Sequence, residues 1–281
     1  MRFTKGHGTG NDFVLLPDLD GELELTPGFV AALCDRRRGI GGDGVIRVVR
    51  SAKHPEAAGY AGEAEWFMDY HNSDGSVAEM CGNGLRVFVR YLLSNGLATP
   101  GPAGLPVATR AGVLVTVVSD DTISARMTPA RVYAGSTATI GALTVPGVAV
   151  DTGNPHLVCG LHDGVKLSAL DLTRAPLHDA ALFPAGVNVE FVETAEPVDG
   201  LDLHVRMRVH ERGSGETESC GTGALAVGAV ALRDAGLAAG SVAVDVRGGR
   251  LVVTHDTDGD WWLAGPAVLV ADGEVDPAAL V

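Results

Sequence analysis

The chain has 281 residues, 46% hydrophobic and 20% charged, ample material for a packed core of about two domains and too apolar for disorder. Its 21 basic against 35 acidic side chains, a net charge of −14, exclude the basic face that a phosphate-backbone binder needs. The longest apolar run, residues 223–232, is about half a membrane span, and the first residues carry no apolar signal region, so a cytoplasmic protein is expected.

In chain order, β-branched runs predict strands over 13–16 and 45–49, with a short helical stretch over 29–34 between them. Gly39-Ile-Gly-Gly-Asp-Gly44 has the glycine spacing of a dinucleotide fingerprint. It follows three arginines rather than a strand, so no dinucleotide site is expected there. Beyond Cys81, apolar residues recur at Leu85, Phe88, Val89, Leu92 and Leu93, one face of a helix that Gly96 ends, with Asn83 expected as its N-cap. Residues 99–106 read as a loop, and further strands are expected over 113–118, 187–192, 203–209 and 251–255. Residues 224–232, after Cys220, are apolar on every side, which predicts a helix buried all round with Thr222 as its N-cap. Each half thus reads as one hydrophobic helix among strands. The expected fold class is α+β, in two pseudo-symmetric domains, 1–127 and 128–265, changing near Thr128-Pro-Ala-Arg131.

The four cysteines are too few and too scattered for a disulfide scaffold, and none has zinc-site spacing, so no metal is expected. Cys34 reads as core filler and Cys159 as a buried strand residue. Cys81 and Cys220 differ, because each opens a glycine-rich turn before a long apolar segment. The surrounding segments repeat: His71-Asn-Ser-Asp-Gly-Ser-Val-Ala-Glu-Met-Cys81-Gly-Asn-Gly84 parallels His210-Glu-Arg-Gly-Ser-Gly-Glu-Thr-Glu-Ser-Cys220-Gly-Thr-Gly223, at an offset of 139. Gly10-Asn11 parallels Gly153-Asn154 at an offset of 143. Two motifs in one order at nearly one offset imply two homologous domains facing each other across a cleft.

A cysteine at a helix start sits against unpaired N–H groups and the positive end of the helix dipole, which should lower its pKa and provide an anion site for a carboxylate. Two such ends converging on one carbon suggest two-base chemistry: one thiolate removes a proton, the opposite thiol supplies another, and the stereocentre inverts. The bland alternative is that Cys-Gly-x-Gly only permits a tight turn; the duplication argues for chemistry.

Lys5-Gly-His-Gly-Thr-Gly-Asn-Asp-Phe13, Asn72-Ser-Asp-Gly-Ser76, Met80-Cys-Gly-Asn-Gly84, Gly153-Asn-Pro-His156, Gly186-Val-Asn-Val189 and Glu211-Arg-Gly-Ser-Gly-Glu216 through Cys220-Gly-Thr-Gly223 closely resemble the diaminopimelate epimerase family. The resemblance implies cofactor-independent interconversion of LL- and meso-2,6-diaminopimelate, in lysine and peptidoglycan-precursor synthesis. It also implies two similar domains, each a sheet curled around a central helix, with the final strand, about residues 266–281, returning to the first domain. Its partners would be the small-molecule substrate, with neither nucleic acid nor membrane, and a homodimer is compatible with it. By the same resemblance, Cys81 and Cys220 match the catalytic thiols, and Gly82, Asn83, Gly221 and Thr222 match the region whose backbone holds the reacting carboxylate. Asn11, Asn72, Asn154, Asn188 and Arg212 match the substrate-binding set. Glu211 matches the acid that receives ammonium, and His156 and Glu211 match residues that tune the thiols. Gly44 stands where many members carry a glutamine that touches substrate, and His71 where an aromatic is usual.

The chemistry of these residues is sensible on its own terms. A substrate with two amino-acid ends needs donors and acceptors for two carboxylates and two ammonium groups, and arginine offers a carboxylate a bidentate fork. The asparagines alone could be turn formers beside glycine, and Arg212 beside Glu211 an ordinary surface pair; their places in the repeat favour the site. The rival readings are a proline or hydroxyproline racemase of the same fold, a thiol-redox or metal-binding protein, and a non-catalytic binding protein. A pyridoxal-phosphate racemase would have only Lys5, Lys53 and Lys166 from which to draw its Schiff base.

Overall fold

Strands β1 (Arg2–Gly8) and β2 (Asn11–Pro17) form an antiparallel hairpin in a computed structural model that describes residues 1–162 and 164–280. Helix α1 (Pro27–Cys34), capped by the Thr26 hydroxyl at 3.3 Å from the Phe29 N–H, carries the chain over to β3 (Gly44–Arg50), which pairs with β2 in parallel. β4 (Trp66–Asn72) returns antiparallel, and α2 (Gly82–Ser94) crosses to β5 (Leu105–Thr109), which pairs with β4 in parallel. β6 (Gly112–Ser119) and β7 (Thr122–Met127) complete a meander.

The second unit starts with a meander of β8 (Arg131–Ile140), β9 (Leu143–Asp151) and β10 (Pro155–Gly160). β11 (Asn188–Thr194) pairs with β10 in parallel and β12 (Leu203–Glu211) returns antiparallel, followed by the short β13 (Gly215–Thr217). Helix α3 (Gly221–Asp234) crosses to β14 (Gly240–Val246), which is parallel to β12, and β15 (Gly249–His255) and β16 (Trp261–Pro266) close the run. The chain divides into Met1–Ala125 with Gly265–Val281, and Arg126–Ala264.

Strand for strand, the two units follow one plan. The order β9-β10-β11-β12-β14-β15-β16 has the same sequence of parallel and antiparallel pairings as the run from β1 to β7. The place that β8 takes beside β9 is filled beside β1 by the final strand, β17 (Val268–Glu274). The Met1 ammonium donates to the Val275 carbonyl at 2.8 Å.

Each central helix is held by its apolar side chains. Leu85, Val87, Phe88, Val89 and Leu92 of α2 are fully buried, contributing about 1.5–3 kcal/mol each. Helix α3, with Ala224, Leu225, Ala226 and Val227 buried on successive positions, is enclosed on all sides as its sequence predicts. Asn83 and Thr222 are not the N-caps expected of them, because they already lie inside the helices. Cys81 (φ −140°, ψ 118°) and Cys220 (φ −122°, ψ 114°) are the extended capping residues. Their carbonyls accept the first helical bonds, from Leu85 at 2.8 Å and Ala224 at 2.9 Å. Among the described residues no helix is long and apolar enough to cross a membrane.

Candidate active site

In the first unit the turn between β1 and β2 brings Asn11 to the start of α2. The Cys81 thiol lies 3.6 Å from Asn11 Oδ1, which also accepts from Asn83 Nδ2 at 3.3 Å. Asn11 Nδ2 donates to Asp43 at 2.6 Å, and Arg36 bridges Asp43 and Asp12 at 2.8 and 2.7 Å, with Lys5 on Asp12 at 2.6 Å. Much of the Lys5-to-Phe13 motif is therefore scaffolding that aims the Asn11 amide. Burial alone would push the Asp12 carboxyl up, but Arg36 and Lys5 outweigh it and hold the group well below the usual carboxylate range. Asn72, at the end of β4, is tied across its own turn to Ser76 at 3.0 Å.

Gly44 is explained by close approach. A Cβ there would come within 2.5 Å of both the His71 carbonyl and the Tyr70 ring, so the space a glutamine side chain would need at its root belongs to Tyr70. His71 is buried and bonded to Asp69 at 2.9 Å, a packing role within the sheet.

In the second unit Asn154, His156, Asn188 and Glu211 gather around the start of α3. His156 and Asn188 are register partners on β10 and β11. Asn188 Oδ1 accepts from the Arg212 backbone N–H at 3.0 Å, and Glu211 accepts from the Thr217 hydroxyl. The Arg212 side chain is exposed and donates to the Ala185 carbonyl at 3.5 Å. Both ring nitrogens of His156 are engaged, Nδ1 with Glu190 at 2.6 Å and Nε2 with Asn154 Oδ1 at 3.0 Å.

The Cys220 sulfur accepts from the Gly223 N–H at 3.4 Å, as a cap should, and lies 3.5 Å from the Thr222 hydroxyl. Its pKa is nonetheless not lowered. Burial, joined by the charge of Glu211, pushes the thiol well above its ordinary value, overriding the helix end. Cys34 and Cys159 are raised chiefly by burial, to about 11 and about 12, as inert core thiols are.

Two charged residues escape a reading of motifs. Arg86, fully buried on α2, donates to Asn83 Oδ1 at 2.8 Å, Thr9 Oγ1 at 3.3 Å and the Gly82 carbonyl at 3.2 Å, and so orients the helix start. Burial lowers its pKa to about 10, leaving it charged at neutral pH. Glu190, fully buried on β11, is the partner of His156. The only available signal was a charge interrupting an apolar run. Among the described residues no cluster of His, Cys, Asp and Glu could hold a metal ion.

The chain matches the family model described as diaminopimelate epimerase over residues 3–133 and 148–275. It is 53% identical to a diaminopimelate epimerase of Streptomyces coelicolor over 289 residues, covering 100% of this chain and 97% of that one. It is 48% identical to one of Thermobifida fusca, covering all of both. Among solved structures, a Bacillus anthracis phenazine biosynthesis protein of the PhzF family superposes with a TM-score of 0.71 at 20% identity, covering 98% of each chain. A hydroxyproline epimerase of Agrobacterium vitis superposes at 0.64 with 14% identity, covering 100% and 94%. These structures share the fold.

Proposed function

Since the chain belongs to the diaminopimelate epimerase family, we propose that it interconverts LL- and meso-2,6-diaminopimelate without a cofactor, using Cys81 and Cys220 as the two proton carriers. The observation that carries this reading is the duplicated one: each unit caps a buried helix with a cysteine, and a hairpin-turn asparagine is linked to that helix start, directly to Cys81 in the first unit and through His156 and Glu190 in the second. Inversion at carbon needs one proton carrier on each face, and a twice-used thiol cap supplies two.

In this mechanism one thiolate removes the α-proton. The backbone N–H groups from Gly82–Asn83 and Gly221–Thr222 receive the reacting carboxylate, where negative charge grows as the C–H bond breaks. The opposite thiol delivers its proton and ends as thiolate. Asn11, Asn72, Asn154, Asn188 and Arg212 bind the polar groups of the substrate, with Arg212 taking the distal carboxylate and Glu211 an ammonium. His156 and Glu211 adjust the thiols. An enzyme of this kind works in the cytoplasm on a free amino acid, in the supply of lysine and peptidoglycan precursors.

Incubation with LL- and with meso-diaminopimelate in deuterated water tests the reading. Solvent deuterium should enter the α-carbon of the inverted isomer. Absence of exchange from either isomer would sink it, and turnover of proline or hydroxyproline instead would favour the racemase reading.

A further inference from the structure

The internal repeat makes the second unit's buried ion pair interpretable. Phe13 in β2 and His156 in β10 occupy the same place, because Phe13 pairs with Gly44 and His156 with Asn188 on equivalent parallel strands. Two residues further along those strands stand Ile46 and Glu190. The helix starts confirm the match. A Cβ added at Gly84 would meet Ile46 Cδ1 at 3.2 Å and Phe13 Cζ at 3.4 Å; at Gly223 it would meet Glu190 Oε1 at 2.6 Å. One fold therefore seats its central helix either on a Phe–Ile pair or on a His–Glu pair. Desolvating two ionisable groups where hydrocarbon suffices is no gain in stability, so the second unit's choice points to its site.

The hydrogen bonds say what that choice does. Glu190 Oε1 lies 2.6 Å from His156 Nδ1, while Oε2 has no hydrogen-bond partner among the described residues. A carboxylate would leave a charged oxygen bare in the core, whereas a carboxylic acid leaves only a neutral carbonyl. Burial acts the same way, raising the Glu190 pKa. With the acid proton directed at Nδ1, the imidazole carries its own proton on Nε2 and donates it to Asn154 Oδ1 at 3.0 Å; the Thr152 hydroxyl donates to the same oxygen at 3.2 Å. The amide oxygen is then fully occupied, which leaves the NH2 as the group of Asn154 that can meet a ligand.

We propose that Glu190 is a positioning residue: it fixes the Nε2–H form of His156, which locks the Asn154 amide with its NH2 presented to a carboxylate of the substrate. This rests on the reading of Asn154 as a substrate donor given above.

The test combines a spectroscopic and a kinetic readout. In protein labelled with 15N-histidine, the His156 signals, identified by their loss in His156→Phe, should show a proton on Nε2. Glu190→Ile should raise KM for LL-diaminopimelate roughly tenfold, the effect of mis-aiming one donor, and move kcat less. Glu190→Gln, whose amide donates to the same nitrogen, should stay near the wild-type KM. The double variant His156→Phe with Glu190→Ile, which copies the first unit, should fold at least as stably as wild type yet keep the raised KM. A wild-type His156 protonated on Nδ1 alone overturns the proposal. So does an unchanged KM in Glu190→Ile, a fall in kcat alone, or a double variant that does not fold. Failure of wild-type turnover would instead count against the epimerase reading, since the histidine signal needs no turnover.

Discussion

Cys81 and Cys220 share a local geometry but not an environment. The first has the Asn11 amide beside it and the buried Arg86 cation near it, whereas the second is flanked by Glu211 and Glu190. Replacing either cysteine by alanine should lower epimerisation by at least about a thousandfold, within the range that one positioned proton carrier contributes. Serine should do little better, being a far weaker acid; a Cys81→Ala protein with normal turnover would refute the two-thiol mechanism. The environments predict a second difference. A thiol whose pKa is raised is protonated through neutral pH and becomes nucleophilic only as pH climbs past its ordinary range. Alkylation of Cys220 in the substrate-free protein, followed by peptide mass spectrometry, should therefore be slow at neutral pH and accelerate at alkaline pH. Glu211→Gln removes the charge that helps burial raise the thiol, so its alkylation at pH 8, roughly the ordinary thiol range, should quicken. A slower reaction would reverse the sign of the electrostatics described here.

At the scale of elements, the two central helices are seated differently on equivalent strands. An alanine in place of either Gly84 or Gly223 would gain about 1 kcal/mol of helix propensity. At Gly84 the new methyl meets the end of Ile46 at 3.2 Å, which can yield by a few tenths of an ångström. At Gly223 it meets, at 2.6 Å, a carboxyl oxygen that His156 holds. Overpacking of that kind costs about 1–3 kcal/mol. Gly223→Ala should therefore lower Tm while Gly84→Ala stays near neutral, measured by thermal unfolding side by side. An equal effect of the two would show that the Glu190 side chain moves freely.

At the scale of the whole molecule, the last strand belongs with the first residues. β17 pairs along β1 from Arg2 with Glu274 to His7 with Val268, and Thr4 donates to Asp272 at 2.5 Å. A chain truncated after Ala267 would leave β1 as a bare edge and strip cover from the first unit. The second unit keeps its own core around Leu157, Phe183, Val189 and Phe191. Limited proteolysis of the truncated protein should yield resistant fragments from the second unit alone. Survival of an intact first unit would mean that its fold closes without β17.

What could be read before any coordinates were features written in neighbouring residues. The Cys-Gly-x-Gly turns, the 3.6-residue stripe of α2, the uniformly apolar α3 and the offset between repeats are local patterns, and local patterns survive in a linear text. Strands β2, β3, β6, β11, β12 and β15 were legible for the same reason. β1 was not: with glycine at two of its seven positions it has little intrinsic strand preference, and it is extended because β2 and β17 pair with it on both sides. β4, buried on nearly every residue, lacks the alternation that marks a half-exposed strand. Electrostatics lay furthest from the sequence. That Gly44 makes way for Tyr70, that Arg86 is a buried cation, that Glu190 replaces an isoleucine of the other unit, and that Cys220 holds its proton all depend on which side chains exclude water from which. Desolvation is a property of three-dimensional neighbours, many of them tens of residues or more apart along the chain, so only the tertiary structure could decide it.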